Sequence, residues 1–343
     1  MTILRIAASA QPFALPLFDR FRNTDVRVGL LFEGPCGWAE FAPFQEYSDE
    51  VAGLWLAGAL EQAFTEFPLP VRDPVESNAI IPLVGADRTR ELVEQAVQRH
   101  GMATIKMKVS DGADAGWSQD LVRVQIARLT LAALGVQGKI RIDANGGWTV
   151  DQAAERLVAF NDVAHGLDYV EQPVATFDEM RELKQRLPEM RVAVDESIRQ
   201  ASPIAATALA QAADVAIIKP LPLGGVRQAL NTARVIGLPA VVSGSLDSSV
   251  GLTSSIALAR CIPDLYGACG LGTGLLFTQD VTSDPLIPQQ GVVADHRVVP
   301  DRIGAMYVSQ TVTDDWRARL VRAWNASARE VVSPEVRTAV EAL

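Results

Sequence analysis

Five charged side chains in the middle of the chain have the residue types that acid–base and metal chemistry require. Each closes a short run of β-forming residues, and they are Lys108, Asp143, Glu171, Asp195 and Lys219. The last four follow one another at intervals of 28, 24 and 24 residues, which is about one strand–helix repeat each time. Barrel enzymes hold their catalytic groups where the strands of the barrel end. The spacing therefore predicts that all five side chains meet at the C-terminal end of one barrel.

Three of these side chains are carboxylates, which repel one another at close range unless a cation neutralises them. Oxygen ligands without His or Cys suit a hard divalent ion, and Mg²⁺ is favoured over other ions, with Mn²⁺ as a substitute. The predicted metal ligands are Asp143, Glu171 and Asp195. Asn145 and Glu196 are expected to support them. Taken singly, each carboxylate also has an ordinary interpretation, as a turn residue, a strand-end ion pair or a helix N-cap.

The stretch TIKMKVS, residues 104–110, places two lysines on one side of a predicted strand. Side chains alternate with a period of two, so Lys106 and Lys108 share a face. On an exposed antiparallel strand that face would contact water, whereas in a closed barrel it would point inward. An ammonium group beside other cations loses its proton more easily, which predicts Lys108 as an acid–base group. Lys106 would tune it, and Lys219 would approach from the opposite wall.

Short β-rich runs alternate with helical patterns from residue 103 onward. The runs cover 103–109, 139–145, 167–173, 191–197, 214–220, 239–245 and 267–273. Strands that alternate with helices predict βαβ units and a parallel sheet. Seven strands without a second sheet favour a closed TIM-like barrel. A doubly wound open sheet is the alternative, but no Gly-x-Gly-x-x-Gly follows the first strand.

The two ends of the chain differ from this middle part. Residues 1–95 predict a small α+β capping domain, with a hairpin or meander over VRVGLLFEGPCGWAEFAPF and a helix over SDEVAGLWLAGALEQAFTEF. Residues 96–289 are assigned to the barrel. The segment 290–343 contains the helix candidate DDWRARLVRAWNASARE. We expect that segment to pack back on the first domain or on the outside of the barrel.

Composition limits the possible partners and location. The 343 residues are 48% hydrophobic and carry a net charge of −10, which disfavours binding to nucleic acid or to anionic membranes. The three cysteines, Cys36, Cys261 and Cys269, form no Cys-x-x-Cys pair, which fits a reducing cytoplasm rather than a disulfide framework. The N-terminus lacks the apolar run of a signal peptide, and no stretch predicts a transmembrane helix. A small carboxylate substrate would thus be attracted by local charge.

The motifs KMK, DANGGW, VEQP, VDES and IIKPLPLGG, in this order and spacing, resemble the enolase superfamily in its muconate-lactonizing-enzyme subgroup. The resemblance implies an α/β fold, a (β/α)7β TIM-like barrel with an α+β capping domain built from both chain ends. It also implies removal of a proton α to a carboxylate, with Mg²⁺ holding the enediolate. Asp143, Glu171 and Asp195 would then be the ligands, and Lys108 and Lys219 the acid–base pair. The three histidines, His100, His165 and His296, miss the strand ends and are interpreted as ordinary residues.

Within this subgroup, the short cap, VVSGSLDSSVG and GLGTGLL resemble the o-succinylbenzoate synthase family of the actinobacterial type. The resemblance implies a hydro-lyase of menaquinone biosynthesis that converts 2-succinyl-6-hydroxy-2,4-cyclohexadiene-1-carboxylate to 2-succinylbenzoate. Lys108 would remove the α-proton and return it to the leaving hydroxyl, while Lys219 stabilises the enediolate. Arg22 is a candidate substrate contact in the cap. Ser243 and Ser245 are candidates for carboxylate binding with help from backbone N–H groups, and helix capping is the alternative for both.

Other functions remain open at this point. An N-succinylamino acid racemase, or another isomerase of the subgroup, would use the same lysines on opposite faces of the α-carbon. A Schiff-base aldolase barrel would use Lys108 or Lys219 as a nucleophile, although it has no need for three carboxylates. A non-catalytic barrel is the remaining alternative. The sequence does not determine the oligomeric state.

Overall fold

The computed structural model describes residues 3–22, 24–110, 116–200, 208–209 and 211–342. The N-terminal part is an antiparallel sheet whose strands follow in order, β1 Gln11–Phe21, β2 Thr24–Gly34 and β3 Gly37–Phe41. A helix over Ile3–Ser9 precedes this sheet, and a helix over Asp49–Phe64 follows it. The predicted meander and the predicted helix are both present.

The helix over Asp49–Phe64 begins where its sequence provides a cap. The Ser48 hydroxyl accepts a hydrogen bond from the Val51 N–H at 3.4 Å, and two acidic residues occupy the first turn. Both features stabilise the N-terminal end of a helix. The helix packs against β3 and buries Trp55 in the core, so the sheet and the helix share one apolar interior.

The middle of the chain forms a parallel sheet of seven strands, paired in the order β11-β10-β9-β8-β7-β6-β5. These strands are β5 Ala79–Ile81, β6 Thr104–Lys108, β7 Lys139–Asp143, β8 Tyr169–Glu171, β9 Val192–Val194, β10 Val215–Ile218 and β11 Ala240–Val242. A separate two-stranded pair joins β4 Val75–Glu76 to β12 Val292–Val293. The predicted alternation of strands with helices and the predicted parallel sheet are confirmed for six of the seven predicted runs. The seventh, 267–273, forms isolated β-bridges and the start of a 3₁₀ turn instead of a regular strand.

Residues 265–270 contact both edges of the seven-stranded sheet. Gly270 forms a parallel bridge with Ser243 beyond β11, and Cys269 forms one with Ser77 just before β5. The N–H of Cys269 donates to the Glu76 carbonyl at 2.7 Å, and that of Gly270 donates to the Val242 carbonyl at 2.8 Å. The sheet therefore curls back on itself through this segment, as expected for a TIM-like barrel.

One strand of the sheet was not predicted. β5, Ala79–Ile81, is only three residues long and is followed directly by Pro82, so it carries too little pattern to be recognised. It pairs with β6 although it lies before residue 96, where the predicted barrel begins. The division of the chain into domains stays a prediction.

Helices connect the strands and return the chain to the start of the next strand. They cover Ala86–His100, Trp117–Ala133, Val150–Val163, Phe177–Arg186, Glu196–Gln200, Val226–Ile236 and Ser249–Cys261. Two of them start at a capping box, formed by Thr149 with Gln152 and by Thr176 with Glu179, which satisfies N–H groups of the first turn. Short 3₁₀ turns lie at Leu221–Leu223, Gly272–Leu276 and Ile303–Ala305. Within the described ranges, no helix has both the length and the apolar character needed to cross a membrane.

The C-terminal segment packs on the N-terminal domain, which is one of the two predicted placements. It contains helices over Gln310–Ala323, Arg329–Val331 and Pro334–Ala342, with a π-helical turn at Trp324–Ala328. The Trp316 ring meets Phe41 edge-on with ring centroids 6.1 Å apart. The Arg319 guanidinium donates to the Phe44 carbonyl at 2.8 Å and to the Tyr47 carbonyl at 2.9 Å.

Candidate active site

The five predicted strand-end residues all lie at the C-terminal end of the sheet. β6 ends at Lys108, β7 at Asp143 and β8 at Glu171, and the three pair in register across neighbouring strands. Asp195 directly follows β9, and Lys219 directly follows β10. The predicted position of each residue at a strand end is thus confirmed.

Asp195 and Lys219 lie further along the barrel axis than Glu171, because of the register of β9 and β10. Glu171 pairs with Ala193, so Asp195 lies two residues beyond the row that Glu171 belongs to. Ala193 pairs with Val215, so Lys219 lies four residues beyond that row. Both offsets are even, which keeps the side chains on the same face of the sheet. A stagger of this kind accompanies the tilt of barrel strands.

Lysine ammonium groups lie directly against these carboxylates. Lys106 Nζ is 2.6 Å from Glu171 Oε1 and 2.9 Å from Asp143 Oδ2, and Lys108 Nζ is 2.7 Å from the same Asp143 oxygen. Lys219 Nζ is 2.5 Å from Asp195 Oδ2. Lys106 is only 9% exposed, so the alternative of a water-facing strand is wrong. The lysines are part of a buried charge network inside the barrel.

Asn145 connects two sides of this network. Its N–H donates to Asp143 Oδ1 at 3.1 Å, its side-chain oxygen accepts from Lys108, and its amide donates to Glu196 Oε1 at 3.1 Å. Asn145 has a φ of 48°, a left-handed conformation that Asn tolerates better than most residues. The turn after β7 therefore directs the side chain of Asn145 between Lys108 and Glu196, the second predicted support.

Gln172 is a structural member of the site that the sequence did not reveal. It is fully buried, and its Oε1 accepts from the N–H groups of Asp195 at 3.0 Å and Ser197 at 3.3 Å. Its Nε2 donates to the Val174 carbonyl at 3.0 Å and to the Ser197 hydroxyl at 2.8 Å. Gln172, which directly follows β8, thus fixes by hydrogen bonding the backbone of Asp195, which directly follows β9. A polar residue between Glu171 and a proline was the only signal for it.

Burial and neighbouring charges change the proton affinity of the lysines in opposite directions. Burial lowers the pKa of Lys108; Asp143 opposes this shift, and the nearby ammonium of Lys106 adds to it. Burial also acts to lower the pKa of Lys106, but Asp143 and Glu171 outweigh it and raise that pKa well above its usual range. Lys108 therefore releases a proton more readily than an ordinary lysine, while Lys106 stays charged.

The carboxylates respond to the same surroundings. Burial, together with the charge of Asp143, raises the pKa of Glu171 to about 8. Burial opposes the effect at Asp143, but Lys106 and Lys108 hold its pKa well below the usual range. Glu171 Oε2 is buried and has no hydrogen-bond partner among the described residues. Glu171 is thus the carboxylate with the greatest unmet demand for positive charge.

These donors fit the chemistry of a divalent cation, although their arrangement does not display a metal cluster. In the ranges that the structure describes, no three carboxylate, imidazole or thiolate side chains are grouped so as to hold one ion. The oxygens of Asp143, Glu171 and Asp195 contact lysine ammonium groups instead. Oxygen-only donors and the unpartnered Glu171 Oε2 suit a hard cation. The assignment of these three residues as metal ligands stays a prediction.

A cleft that opens to solvent lies above the charge network. The predicted site residues in its wall are Arg22, Lys106, Lys108, Asp143, Asn145, Glu196, Lys219, Ser243 and Ser245. Glu171 and Asp195 do not line it and lie buried beneath. The remaining wall residues were not predicted, and they are Phe21, Phe44, Ile80, Gly244, Leu246 and Thr273. The cleft thus combines apolar walls with charged groups, as expected for an anionic organic substrate.

The N–H groups of Ser243 and Ser245 are already used within the protein and are not free for a carboxylate. Contact of either serine with a substrate stays a prediction. The N–H of Ser243 donates to the Ile218 carbonyl at 3.1 Å, and that of Ser245 donates to Asp247 Oδ2 at 2.8 Å. Neither serine caps the following helix, because Ser248 does so. The hydroxyls of Ser245 and Thr273 are buried and have no hydrogen-bond partner among the described residues. Both residues belong to the cleft wall.

Arg22 lies at the mouth of the cleft, in the turn between β1 and β2. Its guanidinium is 4.2 Å from the centroid of the Phe44 ring, and Nη2 donates to the Tyr47 hydroxyl at 3.4 Å. The side chain is exposed, so its charge is available to a substrate. The histidines do not line the cleft: His100 Nδ1 contacts the Pro288 carbonyl at 3.0 Å.

Comparison with known proteins relates this site to one family. A family model described as Enolase C-terminal domain-like matches residues 88–305, well over half of the chain, and one described as Enolase N-terminal domain-like matches residues 13–63. The chain is 41% identical to the o-succinylbenzoate synthase of Thermobifida fusca (strain YX), over 94% of this chain and 99% of that protein. It is 40% identical to the o-succinylbenzoate synthase of Mycolicibacterium smegmatis, over 90% of this chain and 92% of that protein.

Solved structures with the same fold are more distant in sequence. The L-Ala-D/L-Glu epimerase from Bacillus subtilis superposes with a TM-score of 0.70 at 19% identity, over 84% of this chain and 95% of the other. Muconate lactonizing enzyme from Pseudomonas putida superposes with a TM-score of 0.66 at 21% identity, over 90% and 98%. These neighbours agree with a TIM-like barrel carrying a capping domain. The chain belongs to the enolase superfamily and, within it, to the o-succinylbenzoate synthase family.

Proposed function

We propose that this protein is an o-succinylbenzoate synthase, a hydro-lyase that dehydrates 2-succinyl-6-hydroxy-2,4-cyclohexadiene-1-carboxylate to 2-succinylbenzoate in menaquinone biosynthesis. The family membership supports this activity. The structural observation that carries it is the pair of buried lysines, Lys108 and Lys219, that reach one cleft from different strands. Such a pair can act on a carbon held between them.

Lys108 is the proposed acid–base group. In its neutral form Nζ takes the proton from the carbon α to the ring carboxylate, and the electron pair of that C–H bond moves into the carboxylate. The electrons then return to expel the hydroxyl at C6. Lys108 gives its proton to that hydroxyl, which leaves as water, and the ring becomes aromatic. The lowered pKa of Lys108 favours the neutral form that the first step requires.

Lys219 has a different proposed task. Its side chain forms an ion pair with Asp195 at 2.5 Å and reaches the wall of the cleft. A fixed positive charge stabilises the negative charge that develops on the substrate carboxylate. Lys106, between Asp143 and Glu171, contributes a positive charge that lowers the pKa of Lys108 and so favours its neutral amine. Arg22, Ser243 and Ser245 are the proposed substrate contacts, and the side chain of Arg22 is the exposed one among them.

Asp143, Glu171 and Asp195 are the proposed ligands of a divalent ion, Mg²⁺ with Mn²⁺ as a substitute, and Asn145 and Glu196 are their proposed supports. When bound, the ion would add positive charge where the substrate carboxylate becomes more negative. The support for this assignment is the oxygen-only donor set and the unpartnered Glu171 Oε2.

Finer features of the fold belong to the same proposal. The barrel would have the (β/α)7β order, with residues 265–270 as its eighth strand. Residues 1–95 with the segment 290–343 would form the capping domain, and 96–289 the catalytic domain, apart from β5. A cytoplasmic location would fit the three cysteines, which are all unpaired.

The direct test is turnover of the cyclohexadiene substrate by the purified protein with Mg²⁺, followed by the loss of its absorbance. N-succinyl amino acids are assayed in parallel for racemisation. Lys184→Ala is a control for the loss of a lysine that is paired with an aspartate. Lys184 Nζ lies 2.6 Å from Asp214, and Lys184 is not part of the cleft wall. The control should match the wild type. Racemisation without dehydration by the wild type would contradict the proposal.

A further inference from the structure

A second buried cluster of charges lies between the N-terminal sheet and the barrel. Arg27 on β2, Glu40 on β3 and Asp247 after β11 are 3%, 0% and 1% exposed. None of the three lines the cleft. Burial of charged groups is costly unless specific partners compensate for it, so their contacts indicate what they are for.

Arg27 binds the main chain of the segment that follows β11. We call residues 243–248 the β11 loop. Arg27 Nε donates to the Leu246 carbonyl at 3.0 Å, and Nη2 donates to the carbonyls of Ser245, at 3.5 Å, and Ala42. The guanidinium also lies 4.2 Å from the centroid of the Phe44 ring. One arginine of the capping domain thus contacts two consecutive carbonyls of a barrel loop.

Glu40 and Asp247 accept hydrogen bonds from N–H and hydroxyl groups of the same loop. Glu40 Oε2 accepts from the N–H of Ser248 at 2.9 Å and from its hydroxyl at 2.5 Å. Asp247 Oδ2 accepts from the N–H of Ser245 at 2.8 Å. Burial and the charge of Asp247 raise the pKa of Glu40 to about 8, and burial raises the pKa of Asp247. Burial is the main cause of both shifts, and the positive charge of Arg27 opposes it.

The β11 loop needs such support because of its backbone shape and position. Leu246 has a φ of 63°, which L-residues other than Gly, Asn and Asp rarely adopt. Such a conformation persists only where the surroundings enforce it. Ser243, Ser245 and Leu246 form part of the cleft wall. A change in the loop would therefore move the wall that the substrate contacts, while Lys108 would stay in place on β6.

We propose that Arg27, Glu40 and Asp247 are positioning residues that shape the substrate-facing wall through the β11 loop, which makes substrate binding depend on a contact between the cap and the barrel. The substrate involved rests on the proposed function. In the part of the chain that the structure describes, no hydrogen bond joins the three residues to Lys108 or Lys219. Asp247 and Lys219 interact through their charges, and Asp247→Asn removes that interaction as well as Asp247→Ala does. Loss of the loop contacts alone should therefore raise KM much more than it lowers kcat.

Asp247→Ala and its conservative partner Asp247→Asn test this proposal. The alanine variant removes the acceptor of the Ser245 N–H, whereas the asparagine variant retains a side-chain oxygen at that place. Asp280→Ala is the matched control, because Asp280 is 6% exposed and accepts from the N–H and hydroxyl of Ser249, next to the loop but outside the cleft wall. This control also removes a buried carboxylate, one that accepts hydrogen bonds from the first residue of the helix that follows the loop.

Two readouts separate positioning from general stability. Hydrogen–deuterium exchange of the peptide covering 243–248 should become faster in Asp247→Ala, remain near the wild-type rate in Asp247→Asn and be unchanged in Asp280→Ala. KM should rise about tenfold or more in Asp247→Ala, the effect of one lost hydrogen bond to a charged group, with kcat changed less than about threefold. In a Ser245→Ala background, Asp247→Ala should add little to KM, because the contact it positions is already gone.

The proposal is overturned if Asp247→Ala leaves loop exchange at the wild-type rate, or if Asp280→Ala changes exchange and KM equally. It is also overturned if Asp247→Ala lowers kcat and leaves KM unchanged. If Asp247→Ala does not fold, Arg27→Lys provides the same two readouts, since lysine cannot donate to both loop carbonyls in the same geometry. Failure of the wild type to turn over the substrate would contradict the proposed function, and the exchange measurement would still decide the role of the loop contacts.

Discussion

Replacement of Gln172 by leucine should destabilise the protein and inactivate it together. The side chain is fully buried and satisfies two N–H groups, of Asp195 and Ser197, one carbonyl, of Val174, and one hydroxyl. Leucine leaves these groups without a partner, and each buried unsatisfied group costs about 1–3 kcal/mol. The Ser197 hydroxyl only accepts from Gln172 and keeps its own O–H free to donate elsewhere, so the two N–H groups and the carbonyl set the lower limit, at about 3 kcal/mol.

That loss is large against a typical unfolding free energy of about 5–15 kcal/mol. Urea unfolding should show a lower midpoint with an unchanged slope, because the surface exposed on unfolding stays the same. Activity should fall as well, since Gln172 fixes the backbone of Asp195, which pairs with Lys219. Gln152→Leu is the control, because Gln152 takes part in a capping box at the protein surface and its replacement should cost about 1 kcal/mol. A loss below about 1 kcal/mol in Gln172→Leu, with full activity, would refute this reasoning.

Three further predictions address the metal, the carboxylates and pH. Chelation should abolish turnover, and Mg²⁺ or Mn²⁺ should restore it; full activity in excess chelator would contradict the metal assignment. Asp143→Asn and Glu171→Gln should fold, as judged by circular dichroism, but lose turnover, and near-wild-type rates in both would place the site elsewhere. Glu40 has a folded pKa of about 8, above its unfolded value, so the stability linked to its bound proton is lost as pH rises toward 8. Glu40→Gln should therefore gain unfolding free energy relative to the wild type between pH 5 and pH 8, and a constant difference in urea unfolding would rule this out.

The sequence predicted the strand-end residues well because their positions depend on local pattern. The β-rich runs around Lys108, Asp143 and Glu171 became strands that end at those residues. Period-two alternation also predicted correctly that Lys106 and Lys108 share the interior face. Pattern alone did not predict that the ammonium groups would reach the carboxylates, because alternation gives the face of a strand and not the reach of a long side chain.

The features that sequence reasoning missed depend on contacts between distant segments or on unusual backbone geometry. Gln172 follows Glu171 and should point away from it, but its φ of 39° breaks the alternation. Arg27 and Asp247 lie far apart in the chain, and no local signal relates them. Help from backbone N–H groups in binding a carboxylate was one of two alternatives for Ser243, yet its N–H donates to the Ile218 carbonyl of the neighbouring strand.

The most direct test of the central claim compares Lys108→Ala with Lys219→Arg in dehydration of the cyclohexadiene substrate, with substrate affinity measured for both. Lys108 must carry a proton twice, so Lys108→Ala should lose more than the ~10²–10⁴-fold typical of one acid–base group. Lys219 needs only its charge, which arginine keeps, so Lys219→Arg should retain measurable turnover. Equal loss in both variants at unchanged substrate affinity, or turnover near the wild-type rate in Lys108→Ala, would contradict this division of roles.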